Sequence, residues 1–312
     1  MSDSSYAIDP ELLELAALIP TGDPDDVQAA RDGIEAMLPV INAGLDETGL
    51  TISDRVVQGP PEHPDLTVRT YVPDTRATNA GILYLHGGGY IVGSLDSEHA
   101  RAAALAREIR VVVVSVDYRL APEDPFPAAL DDCYAALCWM GGPAQDLGVD
   151  VDRIAVVGQS AGGGLAAAVI LLTRDRRGPQ PCFQFLGCPE IDDRLGTPSM
   201  QAFADTPMFN RPAAEASWNH YLGPDRHDVS PYAAPARATD LRGLPPAYVS
   251  TQEFDPLRDE GMDYARALQA AGVPCELHGF PGTFHGSSVF TTAEVSRREH
   301  AEMIAVLRRR LG

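Results

Sequence analysis

Residues 153–173 read RIAVVGQSAGGGLAAAVILLT. The stretch 153–157 suits a strand buried on both faces. Gly158-Gln159-Ser160-Ala161-Gly162 follows at once, and the apolar run 165–172 then continues as a helix over 161–173. Small residues two before and two after a serine permit a tight strand-to-helix turn, which pushes the hydroxyl out at the top of a sheet. The serine then sits at a helix N-terminus, where the dipole and free N–H groups favour developing negative charge. This context separates the segment from a chance glycine-rich turn and points to Ser160 as a nucleophile.

Outward from this segment the chain alternates strand and helix. Residues 65–72 (DLTVRTYV) alternate like a strand, while 81–85 (GILYL) and 111–116 (VVVVSV) are continuous apolar runs. Helices fit 98–110 and 127–140. Further on, strands fit 183–186, 247–250 and 274–279, and helices fit 257–271 and 292–310. The alternation predicts the α/β class, with a mostly parallel central sheet flanked by helices on both faces. Two short amphipathic helices precede it, one over 11–19 with Leu12, Leu15, Ala16 and Ile19 on one face, and one near 27–37. Residues 191–243 break the rhythm and carry several prolines with Phe203, Met208, Phe209, Trp218 and Tyr221. They read as irregular, and an insertion this long in a compact domain is usually functional or a lid.

His86-Gly87-Gly88-Gly89 follows the strand at 82–85. Successive glycines leave backbone N–H groups unobstructed and let a substrate oxygen approach closely. A phosphate-binding loop does not fit, because Gly87, Gly89 and Gly93 lack the G-x-G-x-x-G spacing. The N–H of Ala161, next to the nucleophile, completes such an oxyanion hole. His86 reads as holding the loop rather than as a base. The stretch Tyr118-Arg119-Leu120-Ala121-Pro122-Glu123 reads as a scaffold for that loop, with Arg119 satisfying carboxylates or carbonyls.

A carboxylate and a histidine should follow Ser160 in that order. Residues 247–255 end a late strand and deliver Asp255, which is the favoured acid. Glu253 is a rival, and Asp259 is expected on the following helix. His285, on a loop after the next strand, is the favoured base. His278 competes but falls within that strand. The remaining histidines show no metal-ligand spacing and no H-E-x-x-H, so neither a metal nor another cofactor is expected.

Composition removes other functions. The 24 basic residues are all arginine, which excludes a phosphate-loop lysine, a Schiff-base lysine and a Ser–Lys dyad. The formal net charge of −20 would repel nucleic acid and anionic membranes. No apolar run reaches the ~18 residues of a membrane span. Disorder is expected only in the first few residues. The five cysteines include no C-x-x-C pair, and the N-terminus lacks a signal-peptide pattern. A reduced, soluble, cytoplasmic protein is expected.

Together these motifs resemble the bacterial hormone-sensitive-lipase-like (family IV) carboxylesterases of the α/β-hydrolase superfamily. The resemblance runs from about residue 66 to the end. It rests on HGGGYIVGSLDSEH (86–99), VDYRLAPEDPFPAALDD (116–132), GQSAGG (158–163), SPYAAP (230–235), LPPAYVSTQEFDPLRDEG (244–261) and His285-Gly286. It implies an α/β-hydrolase fold over 54–312, and a helical cap built from 1–53 and an insertion at about 191–230. It implies Ser160, Asp255 and His285 as the triad, and Gly88, Gly89 and Ala161 as oxyanion donors, with Gly87 their neighbour. The expected substrate is a small short-chain acyl ester, cleaved through an acyl-enzyme, and a homodimer through the sheet edge accords with the family. Two departures are Gln159, where the family usually has Asp or Thr, and Tyr90, where it often has Phe or Trp. An amidase or peptidase with the same triad is the alternative. A non-catalytic small-molecule receptor is another, and the presence of His285 argues against it.

Overall fold

Apolar runs that do not alternate become the middle strands of the sheet, where both faces are covered. The computed structural model describes residues 6–17, 19, 22–223 and 227–312. Its strands are β1 (Leu50–Val57), β2 (Leu66–Pro73), β3 (Gly81–Leu85), β4 (Val112–Asp117), β5 (Ile154–Gln159), β6 (Phe183–Gly187), β7 (Ala247–Phe254) and β8 (Cys275–Phe284). They form one eight-stranded sheet in the order β1-β2-β4-β3-β5-β6-β7-β8. The pairings of β2 with β1 and β4 are antiparallel, and all others are parallel.

The helices are α1 (Pro10–Ala16), α2 (Val27–Ile41), α3 (His99–Ile109), α4 (Ala128–Met140), α5 (Ala161–Arg176), α6 (Pro198–Ala202), α7 (Arg211–Leu222), α8 (Arg258–Ala270) and α9 (Glu294–Leu311). Successive side chains of a strand point to opposite faces. Leu83, Val114 and Val156 therefore pack with α4, α5 and α8, while Ile82, Val113 and Ala155 pack with α3 and α9. The expected α/β-hydrolase architecture is borne out.

Several details differ from expectation. β1 was not foreseen; it is an edge strand with one half-covered face, so its apolar signal is weak, and it spans residues 53 and 54. α1 ends at Ala16, short of Ile19, because the residue before a proline (here Pro20) is biased away from helix. Ile19 still packs in the same cluster as Leu12. Residues 191–243 are not wholly irregular, since they hold α6 and α7. Pro198 of α6 and Pro212 of α7 sit in the first helical turn, where a missing N–H costs nothing. The expected disorder of the first few residues concerns 1–5, which lie outside the described residues, as do 224–226 of the insertion. No described helix is long and apolar enough to cross a membrane.

Candidate active site

Ser160 stands between β5 and α5 with φ 56° and ψ −124°, a sharp turn in the left-handed region. The flanking glycines are required by contact. A Cβ on Gly158 would meet the Gly162 carbonyl oxygen at 2.0 Å, and one on Gly162 would meet that of Leu85 at 2.2 Å. The Ser160 N–H donates to the Gly187 carbonyl at 2.8 Å, which ties the turn to β6.

The C-terminal ends of β7 and β8 bring the other two side chains to it. His285 Nε2 lies 2.8 Å from Ser160 Oγ, and His285 Nδ1 lies 2.8 Å from Asp255 Oδ2. The second Asp255 oxygen accepts the Leu257 N–H at 2.8 Å, so the carboxylate is held from both sides. All three side chains are buried. Burial is the largest single influence and opposes an imidazolium at His285, but the charge and hydrogen bond of Asp255 and the contact with Cys188 together outweigh it and hold the imidazole pKa well above the usual histidine range.

The competing residues are engaged elsewhere. Glu253 Oε2 accepts the Gly282 N–H at 2.7 Å, and Asp259 accepts the Ser199 N–H at 2.8 Å. His278 pairs with Glu302 at 2.8 Å and stacks on Phe280.

The glycine loop lies beside Ser160, and its carbonyls are anchored one after another. His86 Nδ1 lies 2.8 Å from the Gly87 carbonyl oxygen. The Gly88 carbonyl accepts the N–H groups of Ile91 at 3.1 Å and Val92 at 2.9 Å. In a trans peptide the C=O and the next N–H point opposite ways. Fixing the Gly87 and Gly88 carbonyls therefore fixes the N–H groups of Gly88 and Gly89. Among the described residues, neither of these N–H groups nor that of Ala161 meets an acceptor. His86 is buried and stacked on Tyr118, and burial holds its pKa below the ordinary value, so it is a neutral Nδ1–H donor.

The Arg119 stretch buttresses this loop. Arg119 binds Asp132 through two nitrogens at 2.9 and 2.8 Å. Next to it, Tyr118 Oη donates to the His86 carbonyl at 2.8 Å, and Ala121 N–H to the Tyr90 carbonyl at 2.9 Å. From the N-terminal side, Arg31 of α2 donates to the Ile91 carbonyl at 3.0 Å and pairs with Glu123.

The aromatic residues of the insertion divide by position. Phe209 lies with its ring 4.7 Å from that of His285. Tyr221 stacks on Tyr90 at 3.9 Å, with Trp218 beside both, so these three pack the insertion onto the core. Phe203 packs against Tyr6 and Phe254. Sequence reasoning missed three buried neighbours: Cys188, Glu190 and Ser217. Cys188 Sγ, with one atom each of Asp255 and His285, lies in a cluster no wider than 4.8 Å. Burial pushes its thiol up, and a protonated thiol is a poor metal ligand. No spacing or motif could have singled these residues out, because they reach the site from different segments.

The family model for the alpha/beta hydrolase fold matches residues 82–289. Esterase LipI of Mycobacterium tuberculosis is 37% identical over 296 residues, covering 91% of this chain and 89% of that protein. Carboxylesterase NlhH of the same species is 44% identical over 226 residues, covering 71% of each. Among solved structures, a bacterial heroin esterase superposes with a TM-score of 0.95 at 47% identity, covering 98% of both chains. Fold, site geometry and relatives agree: the chain belongs to the alpha/beta hydrolase fold family, in its hormone-sensitive-lipase-like branch.

Proposed function

We propose that this chain is a carboxylesterase that hydrolyses small, short-chain acyl esters. The observation that carries the reading is the unbroken relay from Ser160 Oγ through His285 to Asp255, with 2.8 Å at each link. His285 Nε2 takes the serine proton as Ser160 attacks the ester carbonyl. Asp255 keeps the Nδ1–H tautomer and stabilises the imidazolium that forms. The N–H groups of Gly88, Gly89 and Ala161 receive the oxyanion, with the α5 dipole behind the last. His285 then returns the proton to the leaving alcohol, and water hydrolyses the acyl-enzyme by the same path.

In this reading 1–53 and the insertion at about 191–230 act as a cap. Support comes from α2 resting on Ile91, Val92 and Ala121, and from Phe209 beside His285. The bulk of Phe209 favours a short acyl chain. The five free cysteines accord with a cytoplasmic location, and the family resemblance favours a homodimer through the sheet edge.

The test is hydrolysis of p-nitrophenyl esters from acetyl to palmitoyl, with wild type and Ser160→Ala in parallel. Activity should peak at short chains, and the variant should lose about 10⁶-fold in kcat. Residual activity within about tenfold of wild type, or no turnover of any ester, overturns the proposal.

A further inference from the structure

Ser217, on α7, joins the insertion to the glycine loop. Its Oγ lies 2.9 Å from the Gly89 carbonyl oxygen and 2.7 Å from Glu190 Oε1. A carbonyl oxygen only accepts hydrogen bonds, and so does an ionised carboxylate. The serine hydroxyl has one proton for these two contacts. With Glu190 ionised, one pair of oxygens faces at under 3 Å with no proton between them. A proton on Glu190 Oε1 satisfies both contacts: the acid donates to Ser217, and Ser217 donates to Gly89.

The far oxygen points the same way. Glu190 Oε2 is buried and has no hydrogen-bond partner among the described residues. That is tolerable for the carbonyl oxygen of a neutral acid and costly for a carboxylate.

We infer that Glu190 is a positioning residue held as a neutral carboxylic acid, whose proton fixes the Gly89 carbonyl through Ser217 and so makes the oxyanion loop sensitive to pH. The inference rests on the proposed esterase reading for its effect on turnover, but not for the protonation itself. Of the three anchored glycine carbonyls, those of Gly87 and Gly88 are held from within residues 86–92. The Gly89 carbonyl is held from outside that stretch, by a contact that needs a second, titratable proton.

The groups facing Glu190 are His285 and Asp255 from the triad, Glu260 on α8, Tyr90 and Tyr118 beside the glycine loop, and Tyr221 on α7. Burial pushes the Glu190 carboxyl up to about 7, against the opposing pull of Ser217 and His285. Its titration therefore falls near neutral pH. As the proton leaves, Ser217 turns its hydroxyl toward the new carboxylate and releases the Gly89 carbonyl.

Three variants test this: Glu190→Gln, Glu190→Leu and Ser217→Ala, assayed for kcat and KM on a p-nitrophenyl ester from mildly acidic to alkaline pH. Glutamine keeps a donor at every pH. Glu190→Gln should match the wild-type kcat at mildly acidic pH and lack the alkaline fall expected of wild type. Ser217→Ala should lose about tenfold or more in kcat with little change in KM, because the oxyanion is bound tightly only in the transition state, whereas Glu190→Leu, which leaves the Ser217 hydroxyl donating to Gly89, should lose only the alkaline fall. An alkaline fall unchanged in Glu190→Gln, or a Ser217→Ala variant with the wild-type kcat at mildly acidic pH, overturns the inference. The infrared difference between wild type and Glu190→Gln at mildly acidic pH reads the protonated carboxyl directly. Its absence overturns the inference whether or not the chain hydrolyses esters, while its presence in a chain without esterase activity overturns only the esterase reading.

Discussion

At the scale of single residues, the site depends on where charge is allowed. Asp255 is buried and meets a backbone N–H on one oxygen and His285 on the other. Against burial, which is the largest single influence, its charge and hydrogen bond act with Cys188 to raise the imidazole pKa above the ordinary range. The base works only when neutral, so kcat/KM should rise with pH along a limb lying above the usual histidine range. Replacing Asp255 with Asn removes the charge and the preferred tautomer. That variant should lose about 10⁴-fold in kcat, with its acid limb displaced to lower pH, as pH–rate profiles of the two proteins would show. A limb that stays in place in Asp255→Asn contradicts this role for the carboxylate. Ser160, Asp255 and His285 were legible because each sits in a local context of strand end, turn and chain order. Glu190 and Ser217 carried no such signal, since an ordinary Glu and Ser gain their roles only from each other and from Gly89.

At the scale of elements, loops gain rigidity from helices that are distant in sequence. The stretch 118–123 supports the glycine loop and is itself held by the Arg119–Asp132 pair, whose aspartate side chain is 3% exposed. Arg119→Ala leaves that buried carboxylate without its charged partner and with only the backbone N–H of residue 119 as donor. It should lower unfolding stability by about 3 kcal/mol, as urea denaturation would measure, and a loss near zero would show that the pair is not what holds the stretch. The scaffold role of Arg119 could be read from its flanking prolines and the following helix, but its partner could not. α7 shows the opposite case. Prolines and mixed composition made the insertion look irregular. Asn210 nevertheless caps the helix by accepting the Ala213 N–H, and Trp218 and Tyr221 anchor it beside Tyr90. A short helix of this kind gains its stability from tertiary packing more than from intrinsic propensity.

At the scale of the whole molecule, two electrostatic consequences follow. A net charge of −20 makes the folded chain repel itself, and salt screens that repulsion. The urea midpoint should therefore rise with sodium chloride at neutral pH, and a flat or falling dependence would contradict it. Burial also raises the carboxyls of Glu190 and Glu299 to about 7 from an ordinary 4.5. The native state keeps protons that the unfolded chain releases between those values, so this stabilisation is complete at low pH and is lost as pH climbs through 7. The urea midpoint should fall from pH 5 to pH 8, and less steeply in the double variant Glu190→Gln/Glu299→Gln. Equal slopes in the two proteins would contradict the buried protons. By itself the sequence determined the parallel sheet and its strand order along the chain, the serine turn, the glycine loop, and the Ser-Asp-His succession. These are encoded in neighbours a few residues apart, by apolar periodicity and by glycines where backbone must approach backbone. Tertiary structure alone decided that β1 closes one edge, that Phe209 rather than Trp218 or Tyr221 faces His285, and that Glu190 meets Ser217 at 2.7 Å. Those outcomes depend on distances between segments far apart in the chain, and on the loss of water around them, neither of which any local pattern records.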